Sequence, residues 1–197
     1  MNTYDLIQDM MFSQANEWNA GAKVTYHVKD WFSVTGSLHG DFYNRYKRHE
    51  RIDTRKKDYE SSIWQPRLTI TSNYFDGHSL IFGIEHTSDE LTSDRFSGNA
   101  NHDLKTRALK ETEYFLQDEW TINPKWMVSA GVRTNFSKAF GFMGMPKIAA
   151  KYSPDEHWSI RANYSMGYRS PSIKELFFNW DHLGMFCLLY TSPSPRD

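Results

Sequence analysis

Long apolar runs, cysteine and net charge are all scarce in this sequence. No stretch of the 197-residue chain approaches the roughly 18 consecutive apolar residues that a membrane-spanning helix needs. This excludes a helical membrane protein, although membrane-crossing strands, whose residues alternate in character, would leave no such run either. The formal net charge is −1, so no overall field points to nucleic acid as a partner.

Motifs that carry catalysis or hold a cofactor are also missing. The chain contains no GxGxxG, P-loop, GxSxG or CxxC pattern, and its scattered histidines lack the spacing of metal ligands. Residues 49–53, His-Glu-Arg-Ile-Asp, begin like a zinc-protease helix but have no second histidine. We therefore expect no enzymatic activity, no metal site and no cofactor.

The only cysteine, Cys187, opens a C-terminal segment that looks foreign to the rest. Back-translation of residues 187–197, Cys-Leu-Leu-Tyr-Thr-Ser-Pro-Ser-Pro-Arg-Asp, reproduces a transposase-type DNA-sequencing adapter without a break. We therefore expect the biological sequence to stop near Phe186, with residues 1–186 as one partial domain and residues 187–197 as an artefactual tail. Cys187 then carries no information about the redox compartment.

The chain is rich in aromatic side chains on a polar background. Aromatic residues make up 16% of the sequence and charged residues 24%, whereas a soluble protein this aromatic usually carries many Leu, Ile and Val residues as well. A transmembrane β-barrel needs this mixture, because it has aromatic girdles at both membrane interfaces and a polar interior. A secreted carbohydrate-binding β-sandwich is the alternative that composition leaves open.

Apolar and polar residues alternate with a period of two in segment after segment, which indicates strands with two different faces. The clearest segment is 158–168, where one face is apolar or aromatic and the other is polar or small. The same alternation recurs at residues 22–28, 34–42, 67–74, 79–87, 112–122, 126–136 and 146–152. Two residues depart from it: Ile81 falls on a polar face, and Asp118 falls on an apolar face, where we expect it near the interface or beside a bulge.

The connections predict how these strands are joined. Short turns are expected at residues 29–31, 75–78, 123–125 and 153–157, and longer polar loops at residues 45–60, 89–110 and 137–145. Short turns on one side and long loops on the other are typical of outer-membrane barrels, whereas a β-sandwich has no reason to sort its connections this way. The sequence thus predicts an all-β, antiparallel up-and-down transmembrane barrel segment of about eight strands in four hairpins.

One part of the sequence resembles a known family. Residues 167–178, Gly-Tyr-Arg-Ser-Pro-Ser-Ile-Lys-Glu-Leu-Phe-Phe, are similar to the end of a barrel strand in TonB-dependent outer-membrane receptors. Residues 179–186 look like the continuation seen in ferric-siderophore and colicin-receptor members, and residues 114–120, 123–126, 131–133 and 146–154 follow in the family's usual order. The likeness is specific from Glu113 to Phe186, and before that it rests on periodicity.

The resemblance implies an open and incomplete piece of a roughly 22-stranded barrel, with Met1 as an internal residue of a longer protein. It implies the outer membrane of a Gram-negative bacterium, and a receptor that imports a scarce nutrient, foremost a ferric siderophore, with energy from the TonB complex. The implied partners are the receptor's own plug domain, the TonB complex, outer-membrane lipid and lipopolysaccharide, with no nucleic acid. The basic run at residues 46–57 is expected in an outer loop, facing lipopolysaccharide phosphates or an anionic ligand.

Two sets of candidate site residues follow from the resemblance and the alternation. The rim motif, which we interpret as architecture rather than ligand contact, comprises Gly167, Tyr168, Arg169, Pro171 and Glu175. In it, Pro171 would end ladder pairing, and Glu175 would pair with Arg169 or with an arginine of a neighbouring strand. Lumen-facing cations that would draw an anionic ligand into the mouth are Arg67, Arg133, Lys147, Lys151 and Arg161. The alternative for these cations is pairing with lumen acids such as Asp41, Glu85 and Glu119.

Overall fold

The computed structural model describes residues 11–49, 55–96, 103–178, 180–182 and 185–187. Eight strands form one antiparallel sheet in which each strand pairs with the next in sequence. They are β1 (Met11–Lys29), β2 (Phe32–His49), β3 (Arg55–Ser72), β4 (His78–Ser93), β5 (Lys105–Asn123), β6 (Trp126–Ser137), β7 (Gly141–Tyr152) and β8 (Ile160–Ser165). A short helix, α1 (Ile173–Phe177), and a small hairpin of β9 (Trp180–His182) and β10 (Met185–Cys187) follow. The predicted up-and-down, open all-β sheet is confirmed.

Two sequence predictions concern residues that lie largely outside the described ranges. The zinc-protease-like segment extends over residues 50–53, which lie outside the described residues. Residues 188–197 of the expected tail also lie outside them, while Cys187 is in β10. The boundary at Phe186 therefore stays a prediction.

The strand registers keep each face of the sheet uniform. Along one row, apolar residues lie opposite one another across six strands: Val34, Ile70, Phe82, Leu116, Val132 and Pro146. The same face leaves Val24 70% and Tyr26 69% exposed. Only five apolar side chains of the described residues are buried, and they form a single cluster at one end of the sheet. A sheet with so large an uncovered apolar face is built to meet lipid, since water would make it aggregate.

This exposure decides against the β-sandwich. That alternative requires the aromatic residues of the segment 158–168 to lie between two facing layers. Trp158 and Tyr164 are instead 67% and 63% exposed, and the described strands of this segment's sheet form one layer.

Aromatic side chains collect at two depths on the apolar face. The turn-end girdle contains the pairs Trp31–Tyr74, His78–Trp120 and Trp126–Tyr152, with ring centroids 5.0, 5.2 and 4.4 Å apart. The loop-end girdle contains Trp18, Phe42 and Trp64 on β1–β3, and Phe136 and Phe142 further along. At about 3.3 Å per residue and a tilt of about 40°, the path from Trp31 to Phe42 rises about 25–30 Å, the height of the apolar band of an outer-membrane barrel.

Several strands continue past the loop-end girdle, so the predicted bounds of two long loops, 45–60 and 89–110, are too wide. Residues 45–49, 55–60, 89–93 and 105–110 are strand and not loop. In this outer extension the two faces are both polar, as in β2, where Arg45 and Lys47 alternate with Asn44 and Arg48. Strands exposed to water on both faces keep their hydrogen-bond ladder but need no alternation of apolar and polar residues. The period-two pattern therefore ends before the strands do. The third predicted loop is a tight turn between Ser137 and Gly141.

The last strand of the sheet is shorter than predicted at both ends, and Pro146 accounts for its C-terminal end. The segment 158–168 forms a strand only over Ile160–Ser165. The Met166 N–H donates to the Pro146 carbonyl at 3.0 Å, but the return bond would need an N–H that proline lacks. Ladder pairing therefore ends at Pro146 of the neighbouring strand, and not at Pro171 as the sequence suggested.

The two irregular residues lie where the sequence predicted. Asp118 faces the apolar side near the turn end, next to a register shift between Thr121 and Asn123. Its carboxylate lies 2.8 Å from Nδ1 of His78. Ile81 lies with the polar set, opposite Gln117. No helix among the described residues is long and apolar enough to cross a membrane.

Candidate functional site

The candidate site is the face opposite the girdles, which we call the lumen face. At mid-height it carries a row in which Arg67 lies opposite Glu85, and Glu85 opposite Glu113. Two carboxylates directly opposite each other repel, and the flanking arginines offset this. Arg67 approaches Glu85 at 2.5 Å, and Arg133 pairs with Glu113 and lies 3.9 Å from Glu85. Arg67 and Arg133 thus both approach Glu85. Such pairing with a lumen acid is the alternative that the sequence offered to ligand attraction.

An aromatic ring lies between the two arginines. The guanidinium carbons of Arg67 and Arg133 are 5.2 and 6.0 Å from the centroid of Phe115. The ring lies directly over Gly83, where a Cβ atom would come within 2.2 Å of the Phe115 Cζ. Gly83 therefore provides the space that this stack needs, and the stack holds four strands together from inside.

The remaining predicted cations are in different situations. Lys147 donates to the side-chain carbonyl of Gln117. Lys151 and Arg161 lie directly opposite each other on β7 and β8, and neither forms an ion pair with any residue of the described chain. Both lie at the depth of the turn-end girdle, beside Tyr152. They line a hollow of about 530 Å³ with the turn that joins β7 to β8.

The acids of that turn do not neutralise this pair. The Asp155 carboxylate accepts hydrogen bonds from the backbone N–H groups of His157 and Trp158, at 2.8 and 3.0 Å. Glu156 also forms no ion pair with either cation among the described residues. Lys151 and Arg161 therefore have no countercharge among the described residues, and like charges opposite each other on a sheet are destabilising.

At the other end of the lumen face, the outer extension holds a buried carboxylate that the sequence analysis missed. Asp58 is the extra residue of a β-bulge opposite Arg45 and Tyr46, and it is 1% exposed. Arg45 donates to both its oxygens, at 2.7 and 3.2 Å, and the Lys47 ammonium lies 3.2 Å away. Burial works to raise the pKa of Asp58, but the hydrogen bonds from Arg45 and Lys47 outweigh it and hold this pKa below its ordinary value.

Beside this carboxylate lies a hollow of about 270 Å³, whose lining includes two tyrosines, two cations and two acids: Tyr43, Tyr59, Arg45, Lys174, Glu17 and Asp41. The rings of Tyr43 and Tyr59 meet edge to face at 5.4 Å. Arg45 and the Lys174 ammonium lie 5.3 and 4.9 Å from the Tyr59 ring centroid. The signal for this hollow was the alternation of Tyr43, Arg45 and Lys47 along β2, which the loop prediction concealed.

The rim motif folds the segment after β8 back across the lumen face. The Ser172 side chain caps α1, and Glu175 completes a capping box by accepting from the Ser172 backbone N–H at 2.7 Å. Arg169 donates to Glu175 at 2.6 Å, so the predicted ion pair is present. Hydrogen bonds from the Ser172 backbone and hydroxyl, and then from Arg169, lower the pKa of Glu175.

This cap sets Ile173 into the only buried apolar cluster of the described residues. Ile173 is 1% exposed and packs with Tyr59, Leu91, Phe96 and Phe178. The cluster lies over the outer extension of β3–β5, so Gly167, Tyr168 and Pro171 form part of the connection that reaches it from β8. These contacts favour architecture over ligand contact for the motif. Among the described residues, no group of acidic, histidine or cysteine side chains could hold a metal ion.

An up-and-down sheet with girdled apolar and charged polar faces is the wall of a transmembrane β-barrel. The chain belongs to the TonB dependent receptor-like, beta-barrel family, whose profile matches residues 1–195. It is therefore part of an outer-membrane receptor and not of an enzyme, as the sequence predicted.

Known relatives agree with this assignment. The iron-regulated outer membrane virulence proteins of two Vibrio cholerae serotype O1 strains are 22% identical over 183 residues, covering 90% of this chain and 26% of each relative. The chain thus spans about a quarter of their length.

Two solved structures are also similar. The siderophore receptor PirA from Pseudomonas aeruginosa has a TM-score of 0.53 at 12% identity, over 81% of this chain and 36% of that one. The toluene transporter TodX from Pseudomonas putida has a TM-score of 0.47 at 12% identity, over 78% and 55%. At such identity the likeness to PirA supports the fold alone.

Proposed function

We propose that this chain is part of the wall of a receptor that binds a ferric siderophore and imports it with energy from the TonB complex. The observation that carries the proposal is family membership together with a relative named as iron-regulated. Ferric siderophores are commonly anionic, and the hollow at Tyr43, Tyr59, Arg45 and Lys174 offers both rings and cations at the outer end of the lumen face. Cations and aromatic faces together suit an anionic, partly aromatic chelate.

The lumen-facing cations contribute unequally to such attraction. Arg67 and Arg133 spend much of their charge on Glu85 and Glu113, which weakens the field that they can offer a ligand. Lys151 and Arg161 keep their charge but lie at the turn end, which in outer-membrane barrels is the periplasmic side. Arg45 of the outer hollow is likewise paired with Asp58, but Lys174 forms no ion pair with any described residue. We place first contact with the ligand at the outer hollow because of this lysine and because the hollow lies at the loop end.

Deletion of the complete receptor gene tests the transport proposal. We expect the deletion strain to lose growth on at least one ferric siderophore under iron limitation, and to grow normally with abundant iron. Reintroducing the intact gene should restore growth. Unchanged uptake of every siderophore tried would remove the proposal.

A plug domain of the same polypeptide is the second part of the proposal. It is supported by the Lys151–Arg161 pair, which has no countercharge among the described residues, and by the three quarters of the relatives' length that lies outside this match. A carboxylate on a domain inside the lumen would offset the repulsion between the two cations.

Charge reversal at Lys151 tests this contact. We expect Lys151→Glu to lower the melting temperature of the complete receptor by several degrees, corresponding to about 1–2 kcal/mol. In a receptor lacking its N-terminal domain the same substitution should not destabilise and should be neutral or slightly stabilising, because the plug carboxylate is gone and the new glutamate would lie opposite Arg161. Lys105→Glu, which reverses an exposed lysine on β5 away from this hollow, is the matched control. A loss of stability that is equal with and without the N-terminal domain would contradict the contact.

The outer membrane itself supplies the remaining proposed partners. Outer-membrane lipid and lipopolysaccharide would contact the apolar face and the basic residues above the loop-end girdle. The energy-supplying TonB complex would act on the plug, outside this chain.

A further inference from the structure

The wall has a step on its outer side. Pairing between β5 and β6 begins only at Glu111 and Ser137, so residues 105–110 of β5 have β4 on one side and no strand on the other. Both strands of the short β6–β7 hairpin lie within the chain, so this step belongs to the wall and is not an edge created by the end of the sequence. A groove of about 680 Å³ occupies the step.

The floor of the groove is apolar and lies at membrane depth. Phe136 and Phe142 pack with ring centroids 4.8 Å apart, and they are 46% and 57% exposed on the outer side. Ala108 and Ala139 add further apolar lining. Because both rings belong to the loop-end girdle, the floor faces the boundary between the acyl chains and the headgroups of the outer leaflet.

Two lysines stand at the polar side of the same groove. Lys110 comes from β5 and Lys138 from the β6–β7 turn, and neither forms an ion pair with any other described residue. The acids nearby are directed elsewhere: Glu111 faces the lumen and accepts from Asn135, and Glu90 lies opposite Ala108 on the outer side without bonding to Lys110.

The back of the groove supplies further polar groups. Nδ1 of His86 lies 2.9 Å from the Thr112 hydroxyl. The free edge at residues 105–110 also presents backbone N–H groups that no strand of the described chain uses. An anion held by the two lysines would find additional hydrogen-bond donors at this edge.

We propose that this groove binds one lipid of the outer leaflet, with an acyl chain on the phenylalanines and a phosphorylated headgroup between Lys110 and Lys138. An apolar floor beneath cations is the arrangement that recognises an anionic amphiphile at a membrane surface, and the volume lies within the roughly 300–1,000 Å³ of small-molecule sites. The inference rests on the proposed membrane placement of the wall but not on the identity of the transported ligand. The proposed occupant is lipopolysaccharide, whose phosphates and acyl chains supply both parts of this chemistry.

The test measures lipid that stays bound to the complete receptor. The receptor is purified in mild detergent, and retained lipid is identified and counted by native mass spectrometry. For Lys110→Glu/Lys138→Glu we expect occupancy to fall on the order of tenfold or more, since two favourable headgroup contacts become repulsive. Lys125→Glu reverses an exposed lysine at the opposite membrane interface and should leave occupancy unchanged.

A second variant and defined lipids separate the parts of the site. Phe142→Ser keeps both lysines and should weaken retention through the acyl chain alone. Delipidated receptor is then offered lipopolysaccharide, phosphatidylglycerol or phosphatidylcholine. Selective rebinding of lipopolysaccharide supports the proposal, whereas preferential rebinding of phosphatidylglycerol or equal rebinding of phosphatidylcholine overturns it.

Further outcomes keep this inference separate from the transport proposal. Heat-modifiable migration on gels shows whether each variant is folded. Siderophore uptake by the double lysine variant is measured in parallel. Loss of bound lipid with normal uptake would support the lipid site and would leave the transport proposal unaffected. Undiminished lipid on the folded double variant, or an equal loss with Lys125→Glu, would refute the groove whatever happens to uptake.

Discussion

Replacing Gly83 with alanine should destabilise the folded receptor by about 2–3 kcal/mol, although the change adds a single methyl group. The new Cβ would lie 2.2 Å from the Phe115 Cζ, far inside van der Waals contact. The ring cannot easily move aside, because Arg67 and Arg133 lie against it and are themselves tied to Glu85 and Glu113. Shifting Phe115 therefore disturbs ion pairs on four strands. Urea titration followed by heat-modifiable migration measures the loss.

Two further variants make the Gly83 result specific. Gly36→Ala adds the same methyl group at a position with nothing within 4 Å of the new atom, so its stability should stay close to that of the wild type. Removing the ring with Phe115→Ala in the Gly83→Ala background should recover part of the lost stability, because the clash disappears. Equal stability of Gly83→Ala and Gly36→Ala would show that the ring does not occupy the position described.

The sequence was sufficient for the membrane-facing part of the fold. Within the apolar band one face meets lipid and the other meets a polar lumen, so a period of two marks every strand and assigns each side chain to a face. That is why Ile81 and Asp118 could be recognised as exceptions and placed correctly. The rim motif was recognised by resemblance, and its Arg169–Glu175 pair followed from charge and spacing.

Other features depend on which strand lies beside which, and periodicity carries no such information. Gly83 and Phe115 meet because the register of β4 and β5 places them opposite each other. Asp58 reaches Arg45 because a bulge inserts one extra residue in β3. Pro146 in β7 ends the pairing of the next strand, β8, because the register places it opposite Met166.

The step beside β5 arises in the same way, from unequal strand lengths in a region where both faces are polar. Strand ends there are set by turn geometry and the partner's length rather than by hydrophobicity. The loop prediction at residues 137–145 concealed a tight turn, and the prediction at residues 89–110 concealed the strand that rises above it. Either of these two errors is enough to prevent the groove from being predicted from the sequence.

Charge on the lumen face is also ordered by the register. Acids on β4 and β5 lie between arginines of β3 and β6, while Lys151 and Arg161 on β7 and β8 lie opposite each other. From the sequence all five cations looked equivalent as ligand attractors. The structure separates them: Arg67 and Arg133 are paired with acids, Lys147 donates to the uncharged Gln117, and Lys151 and Arg161 have no countercharge among the described residues.

The second large effect is expected from Asp58→Asn at the outer extension. The substitution leaves Arg45 and Lys47 beside a neutral amide, so two partly buried cations lose their shared countercharge. We expect a local loss of about 2–3 kcal/mol, toward the lower end for broken buried pairs, because both cations keep some access to water. Hydrogen exchange of β2 and β3 beyond the loop-end girdle should rise, while exchange in the apolar band stays unchanged.

The pH dependence of the same region follows from the direction of the Asp58 pKa. Because this pKa is lower in the folded protein than in the unfolded chain, the carboxylate stabilises the fold fully above its ordinary value of about 4. That contribution disappears as the pH falls through the lowered folded value. The wild-type extension should therefore loosen in acid below about pH 4, whereas Asp58→Asn should be loose already at neutral pH and change less on acidification.

Asp41 provides the matched carboxylate for this experiment. It also faces the lumen on β2, but it is 41% exposed and its nearest described ion-pair partner is His39, at 3.6 Å. Asp41→Asn should therefore leave both the neutral-pH exchange and its acid profile near those of the wild type. If Asp58→Asn instead behaved like Asp41→Asn, the bulge would not hold a charge that the wall depends on. The outer extension would then be maintained by its backbone ladder and by the apolar cluster around Ile173 alone.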